Sequence, residues 1–291
     1  MFVNRYFKKV VSGFCYAVLL FFILNSYSVQ SQNVNFLDKD ATRWQMLKYD
    51  TGNMFKGILY SYSRPFHWQK KQWIQFGGVA ATTSFLYVFD EQTNDYFVEQ
   101  SDDVPEFIKD YGWYYGSPQN NYMLTAAVYL TGLGLKNEKL RRTGVLLISS
   151  ASAAGLLQQM SKYAFGRARP RSGDNKNSFY PFTSNKDYHS FPSGHTILAF
   201  TNAYAIAKQF KNPWIKGGIY TLGLVPGVSR LWADAHWLTD VVVGVAISIA
   251  TVEAIDRFLD SKYEQKYNDK RKKVSWDLRI GAGQFGVVMQ F

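Results

Sequence analysis

Residues 143–160 read TGVLLISSASAAGLLQQM. The stretch is apolar, built mainly from Leu, Ala, Ser and Gly, and shows none of the strict alternation that marks a half-buried strand. Five further stretches have the same character: 73–89, 122–135, 196–210, 214–228 and 237–255. Turn residues or charges separate them. The economical reading is an all-α fold, a helical bundle of about six core helices. Small residues such as Ala153, Ala154, Gly155, Gly244, Ala246 and Ser248 permit close helix approach.

Upstream of these stretches the chain divides twice. Residues 1–31 resemble an export signal: Arg5, Lys8 and Lys9 precede an apolar run over 10–24, and Val29 and Ser31 fit a cut before Gln32. An uncleaved membrane anchor is the alternative, and the short run favours cleavage. Residues 32–72 are polar to amphipathic and predict one or two surface helices before a core at 73–260. Residues 90–110 hold eight acids against Lys109. Such a run predicts a solvated loop or surface face, with any phosphate site elsewhere. Residues 261–291 begin strongly basic and then alternate around Gly281-Ala282-Gly283, which predicts a short C-terminal β-hairpin packed on the bundle.

Composition narrows the function classes. The chain has 291 residues, 47% of them apolar and 17% aromatic, which excludes a disordered segment. The single cysteine, Cys15, lies in the export segment, so a disulfide scaffold and thiol chemistry are excluded after cleavage. The net charge of +11 is spread along the chain, without zinc spacing or an RNA-binding aromatic signature. No nucleic acid is expected as partner; an anionic small substrate or an anionic membrane surface fits better. Mean hydropathy is −0.21, low for six spans. The apolar runs of about 13–19 residues are short against the ~20 that a span needs. A buried soluble bundle and a thin, partly embedded one both remain open, and the oligomeric state is not determined.

Three clusters carry chemistry. They are KYAFGRARP at 162–170, FPSGH at 191–195 and SRLWADAHWLTD at 229–240. His236 and Asp240 stand at i and i+4, so they share a helix face. An acid there can accept from one ring nitrogen and leave the other free to attack. Ser193 and Gly194 sit where a loop enters a helix, a place that offers unpaired N–H groups to an anion. Lys162, Arg169 and Arg230 add positive charge suited to phosphate oxygens. The parts compose a phosphate-transfer site: a histidine nucleophile, its orienting acid, His195 for proton transfer and a cationic cradle. No metal and no cofactor are required.

These clusters resemble the signature of the type-2 phosphatidic acid phosphatase and vanadium haloperoxidase superfamily: K-x6-R-P, P-S-G-H and S-R-x5-H-x3-D. All the specified positions are present, over about a quarter of the chain. The resemblance implies that His236 attacks phosphorus and forms a phosphohistidine, with Asp240 stabilising the charged ring. It implies that His195 protonates the leaving oxygen and then activates water. Lys162, Arg169 and Arg230, with Ser193 and the Gly194 amide, would hold the equatorial oxygens. These roles ask for a neutral His236 and a charged His195, hence a bell-shaped pH–rate curve. The implied activity is phosphate-ester hydrolysis in a bacterial cell envelope, periplasmic or membrane-associated. The substrate is expected to be a lipid phosphate of the phosphatidic acid, undecaprenyl diphosphate or lipid A type. Alternatives are a broad-specificity periplasmic acid phosphatase and a catalytically silent envelope binding protein. The aromatic loop with Phe179, Tyr180, Phe182, Tyr188 and Phe191 joins two motifs and is expected near the mouth of the site.

Overall fold

The computed structural model describes residues 41–268 and, as backbone, 275–281 and 284–290. The fold is all-α, with nine α-helices among the described residues. They are α1 (Arg43–Ser63), α2 (Lys70–Tyr87), α3 (Asp90–Glu99), α4 (Glu106–Tyr115), α5 (Pro118–Gly134), α6 (Glu138–Phe165), α7 (Gly194–Ala207), α8 (Pro213–Trp232) and α9 (Leu238–Asn268). The six expected core helices correspond to α2 and α5 to α9. The backbones of Ser275–Gly281 and Gln284–Gln290 pair antiparallel at the chain's end. Their side chains, like residues 269–274 and 282–283, lie outside the described residues, so a hairpin packed on the bundle is not part of the described fold. The expected export signal at 1–31 likewise falls outside them.

Helix α7 is the centre of the bundle and packs on α6, α8 and α9. Small residues make the contacts close. A Cβ on Gly223 of α8 would stand 2.2 Å from Ala203 Cβ, and one on Gly227 2.9 Å from Thr196 Oγ1. The apolar core gathers Val145, Leu146 and Leu147 of α6, Ala205 and Ile206 of α7, and Val252, Ile255 and Leu259 of α9. It occupies one end of the bundle. The opposite end collects the start of α7, the start of α9, and the ends of α6 and α8, and all three sequence clusters lie there.

Helix α1 is tied to the core by charge as well as packing. Asp50 is buried and accepts from Arg141 Nε at 2.8 Å, Tyr263 Oη at 2.9 Å and Tyr129 Oη at 3.1 Å. A buried arginine–carboxylate pair holds its geometry only when its spare hydrogen-bonding positions are filled, and two tyrosines help to fill them.

The acidic run lies at the surface as expected, except at its first residue. Residues 90–110 form α3, a short 3-10 turn and the first half of α4, and Asp90 is fully buried. The difference has a physical cause: Asp90 meets a buried arginine and a helix start far along the chain, a pairing that local charge counting does not reveal. The expected separation of this run from the site fails for the same reason.

Candidate active site

The loop between α6 and α7 begins at a glycine that no other residue could replace without strain. Gly166 ends α6 at φ +57°, and a Cβ there would overlap the Tyr180 carbonyl oxygen at 1.8 Å. The chain then runs extended. Arg167 bridges Phe179, the Ala168 N–H donates to the Ser178 carbonyl, and the Arg169 N–H donates to the Asp187 carbonyl. Arg169 is further fixed by backbone carbonyls: Nε donates to Lys186 O (3.0 Å), Nη1 to Ala235 O (2.9 Å) and Nη2 to His189 O (3.1 Å). Its Nη1 also stands 3.4 Å from His236 Nε2.

His236 precedes α9 and is buried. Its Nδ1 approaches Asp240 Oδ2 at 3.5 Å and Ser190 Oγ at 3.4 Å. The short contacts of Asp240 go elsewhere: Ser190 Oγ (2.5 Å) and the Trp237 N–H (3.0 Å) donate to Oδ2, and Arg167 Nη1 donates to Oδ1 (2.6 Å). The Trp237 contact is half of a capping box, because Asp240 is the third residue of α9. Ser193 is buried; its N–H donates to the Asp240 carbonyl at 3.1 Å and its hydroxyl accepts from Thr196 Oγ1 at 2.9 Å. Ser193 thus ties the start of α7 to the start of α9, and its amide is already engaged. Gly194 opens α7 above Gln158, whose Nε2 would stand 3.0 Å from a Cβ there.

Helix α4 forms a wall that the sequence motifs do not contain. A Cβ on Gly116 would lie 2.7 Å from His195 Cδ2, and one on Gly112 2.4 Å from Ser229 Cβ. Between them Trp113 contacts the His195 ring, centroids 5.3 Å apart, and takes the Arg230 guanidinium over its face at 4.5 Å. Its backbone also hydrogen-bonds His195. The unreadable residues of the site are therefore Trp113, Gly116, Ser190, Arg167 and Asp90. Arg167 sits inside the first motif at an unspecified position, and only a buried carboxylate partner would have marked it.

Electrostatics follow from this packing. Burial, the neighbouring Arg169 and an opposing Asp240 leave Lys162 lowered to about 8. Burial lowers Arg230 to about 10, with Arg169 and Arg171 adding to the effect. Burial lowers His195 to about 3, helped by Arg230, Lys162 and Arg169. His236 also falls to about 3 through burial, against the pull of Asp240 and with Lys162 and Arg169. Burial would raise Asp240, but Arg167 and its hydrogen bonds to His236 and Ser190 take it down to about 2. The site thus brings three basic side chains together beside two neutral histidines. The expected charged His195 is not what this environment gives; cationic neighbours in a desolvated place hold its ring neutral until negative charge arrives. Such a site suits an anion and repels a divalent cation.

Residues 143–262 match the PAP2 superfamily. The chain is 33% identical over 135 residues to a lipid A 1-phosphatase of Porphyromonas gingivalis, covering 45% of this chain and 27% of that protein. It is 30% identical over 116 residues to an undecaprenyl-diphosphatase of Sulfolobus acidocaldarius, covering 40% of this chain and 54% of that protein. The match therefore spans only about a quarter to a half of these relatives' lengths. A crystal structure of Aquifex aeolicus LpxE superposes with a TM-score of 0.38 at 19% identity, over 56% of this chain and 93% of that one.

Proposed function

We propose, from the membership of residues 143–262 in the PAP2 superfamily, that the chain is a phosphatase that releases phosphate from lipid phosphates through a phosphohistidine. The observation that carries the reading is the cluster of Lys162, Arg169 and Arg230 around His195 and His236, cations for which no carboxylate stands at ion-pair distance among the described residues, Asp240 and Asp187 acting only from farther off. A bound phosphate dianion supplies the missing charge. It raises His195 toward protonation and leaves His236 Nε2, beside Arg169, free to attack.

The steps balance as follows. Nε2 of His236 forms a bond to phosphorus as the ester P–O bond breaks, and the leaving oxygen takes a proton from His195. Water then attacks phosphorus, gives a proton to His195, and the P–N bond breaks to release inorganic phosphate. Asp240 stabilises the ring while it is positive, and the three cations hold the equatorial oxygens.

Two features support a lipid substrate. The relatives cited above are named for lipid A and undecaprenyl diphosphate. The surface also carries large exposed apolar side chains: Trp73, Ile74 and Phe76 on α2, Leu156 and Met160 on α6, Trp214 on α8, and Phe179 and Phe182 on the loop. Patches of this kind mark membrane or protein contact. One helix, Leu238–Tyr263, is long and apolar enough to cross a membrane by length and composition, with half of its window buried in the bundle. The proposal places the protein at the bacterial cell envelope with its site open to the lipid surface.

The test is phosphate release by the purified chain with EDTA present, for wild type and His236→Ala. Detergent-dispersed phosphatidic acid, lipid A and undecaprenyl diphosphate are offered beside para-nitrophenyl phosphate. Turnover of a lipid, with His236→Ala reduced by about 10⁴-fold or more, supports the reading. Faster turnover of the soluble ester than of any lipid favours the acid-phosphatase alternative, and no release from any of them removes it.

A further inference from the structure

Arg167 is buried between two carboxylates. Its Nη1 donates to Asp240 Oδ1 at 2.6 Å and to Thr239 Oγ1 at 2.8 Å, and its Nη2 donates to Asp90 Oδ2 at 2.8 Å. The guanidinium lies against the rings of Tyr87 and Trp237, 4.9 and 5.5 Å from their centroids. Asp90 in turn accepts the Thr239 N–H on Oδ1 at 3.0 Å and the Thr239 hydroxyl on Oδ2 at 2.5 Å. One carboxylate, carried by the first residue of α3, thus caps the start of α9 and anchors the arginine that grips Asp240.

We propose that Arg167 and Asp90 are positioning residues for phosphoryl transfer, which fix the Asp240 carboxylate and leave one net negative charge facing His236. The inference rests on the reading of His236 as the nucleophile. Two physical points carry it. The first is geometric. Arg167 holds Oδ1 while Ser190 and the Trp237 N–H hold Oδ2, so the carboxylate cannot turn and Oδ2 stays beside His236 Nδ1. The second is a matter of charge. Asp240 and Arg167 alone would cancel, and a positive phosphohistidine would then face no net charge. Asp90 restores one negative charge, so the buried group of Asp90, Arg167 and Asp240 can stabilise the charged ring as it forms. None of these atoms belongs to the cradle of Lys162, Arg169 and Arg230, so their loss is felt in the chemical step rather than in phosphate binding.

The test compares the purified full chain with Asp90→Asn, which keeps shape and removes charge, and with Thr239→Val, which removes the hydroxyl bridge alone. The readouts are kcat and KM on para-nitrophenyl phosphate and on detergent-dispersed phosphatidic acid, inhibition by inorganic phosphate, and thermal unfolding. The expected result for Asp90→Asn is a kcat lower by about tenfold or more, with KM and phosphate inhibition within about twofold. Thr239→Val moves kcat the same way by about threefold. A folded Asp90→Asn with wild-type kcat overturns the inference, and so does a loss of phosphate inhibition in step with kcat. If Asp90→Asn does not fold, Thr239→Val decides by the same criteria. A wild type that is active while both variants match it sinks this inference alone; a wild type inactive on these esters and also on lipid A and undecaprenyl diphosphate sinks the phosphatase reading and takes this inference with it.

Discussion

On the proposed function, Lys162 is the residue expected to set the alkaline side of activity. Its lowered value of about 8 means that it is charged below that pH and neutral above it. We expect kcat/KM to fall as pH rises through about 8. A bound dianion favours the charged amine, so the fall in kcat comes at higher pH. Lys162→Arg keeps the charge and is expected to move the kcat/KM limb upward by at least a unit, because an arginine stays protonated far above this range. An unmoved limb would assign the titration to another group. At this scale much was legible: His195, His236, Asp240, Lys162, Arg169 and Arg230 were found by residue type and spacing, and the fold collects them at one end of the bundle. The Ser193 amide serves the Asp240 carbonyl, which leaves its hydroxyl and the Gly194 amide as the groups expected to meet an anion there. Trp113 and Ser190 were invisible, because nothing local in the chain distinguishes them from other aromatic and hydroxyl residues.

Helix α4 shows what an element contributes when its sequence says little. Gly112 within it and Gly116, which caps its C-terminal end, are one turn apart and admit Ser229 and His195 against bare backbone. Gly116→Ala is expected to displace the His195 ring and lower kcat by about tenfold or more. Overpacking of this kind destabilises by about 1–3 kcal/mol, so the variant should remain folded. Steady-state kinetics beside a thermal melt would check this, and an active Gly116→Ala would mean that the ring moves without consequence. The helices with continuous apolar stretches were readable from composition and period. Helix α3 and the first half of α4 were not, because eight acids in 21 residues look solvated until a distant arginine and a helix start are seen to need one of them.

On the scale of the whole molecule, the site weakens the fold in acid. His195 and His236 are both held neutral down to about 3, whereas an unfolded histidine takes up a proton near 6.5. Protons therefore bind the unfolded chain preferentially as pH falls from about 6.5 toward 3, and stability falls with them. Asp240, lowered to about 2, adds in the same direction: its contribution is present above its unfolded value near 4 and is lost as pH drops to about 2. The melting temperature is expected to decline across this window. Inorganic phosphate, which binds only the folded cradle, should raise it at neutral pH. Differential scanning fluorimetry with and without phosphate reads both effects, and a melting temperature flat from pH 7 to 4 would contradict buried neutral histidines.

Helix formation depends on residues three and four positions apart, and the motif spacings are equally local. The sequence by itself therefore determined an all-α bundle and the three motif clusters from which the family resemblance and the candidate reacting groups are read. The tertiary structure alone decided how the buried charges pair. Asp90 and Thr239 are 149 positions apart, and Asp50 and Tyr263 are 213 apart. A charge removed from water must find its partner wherever packing puts one, so these pairings follow from the fold and not from any neighbour in the chain. The same holds for the neutral state of His195, which is set by three cations converging from different helices and a loop rather than by the Ser-Gly-His sequence that announces it.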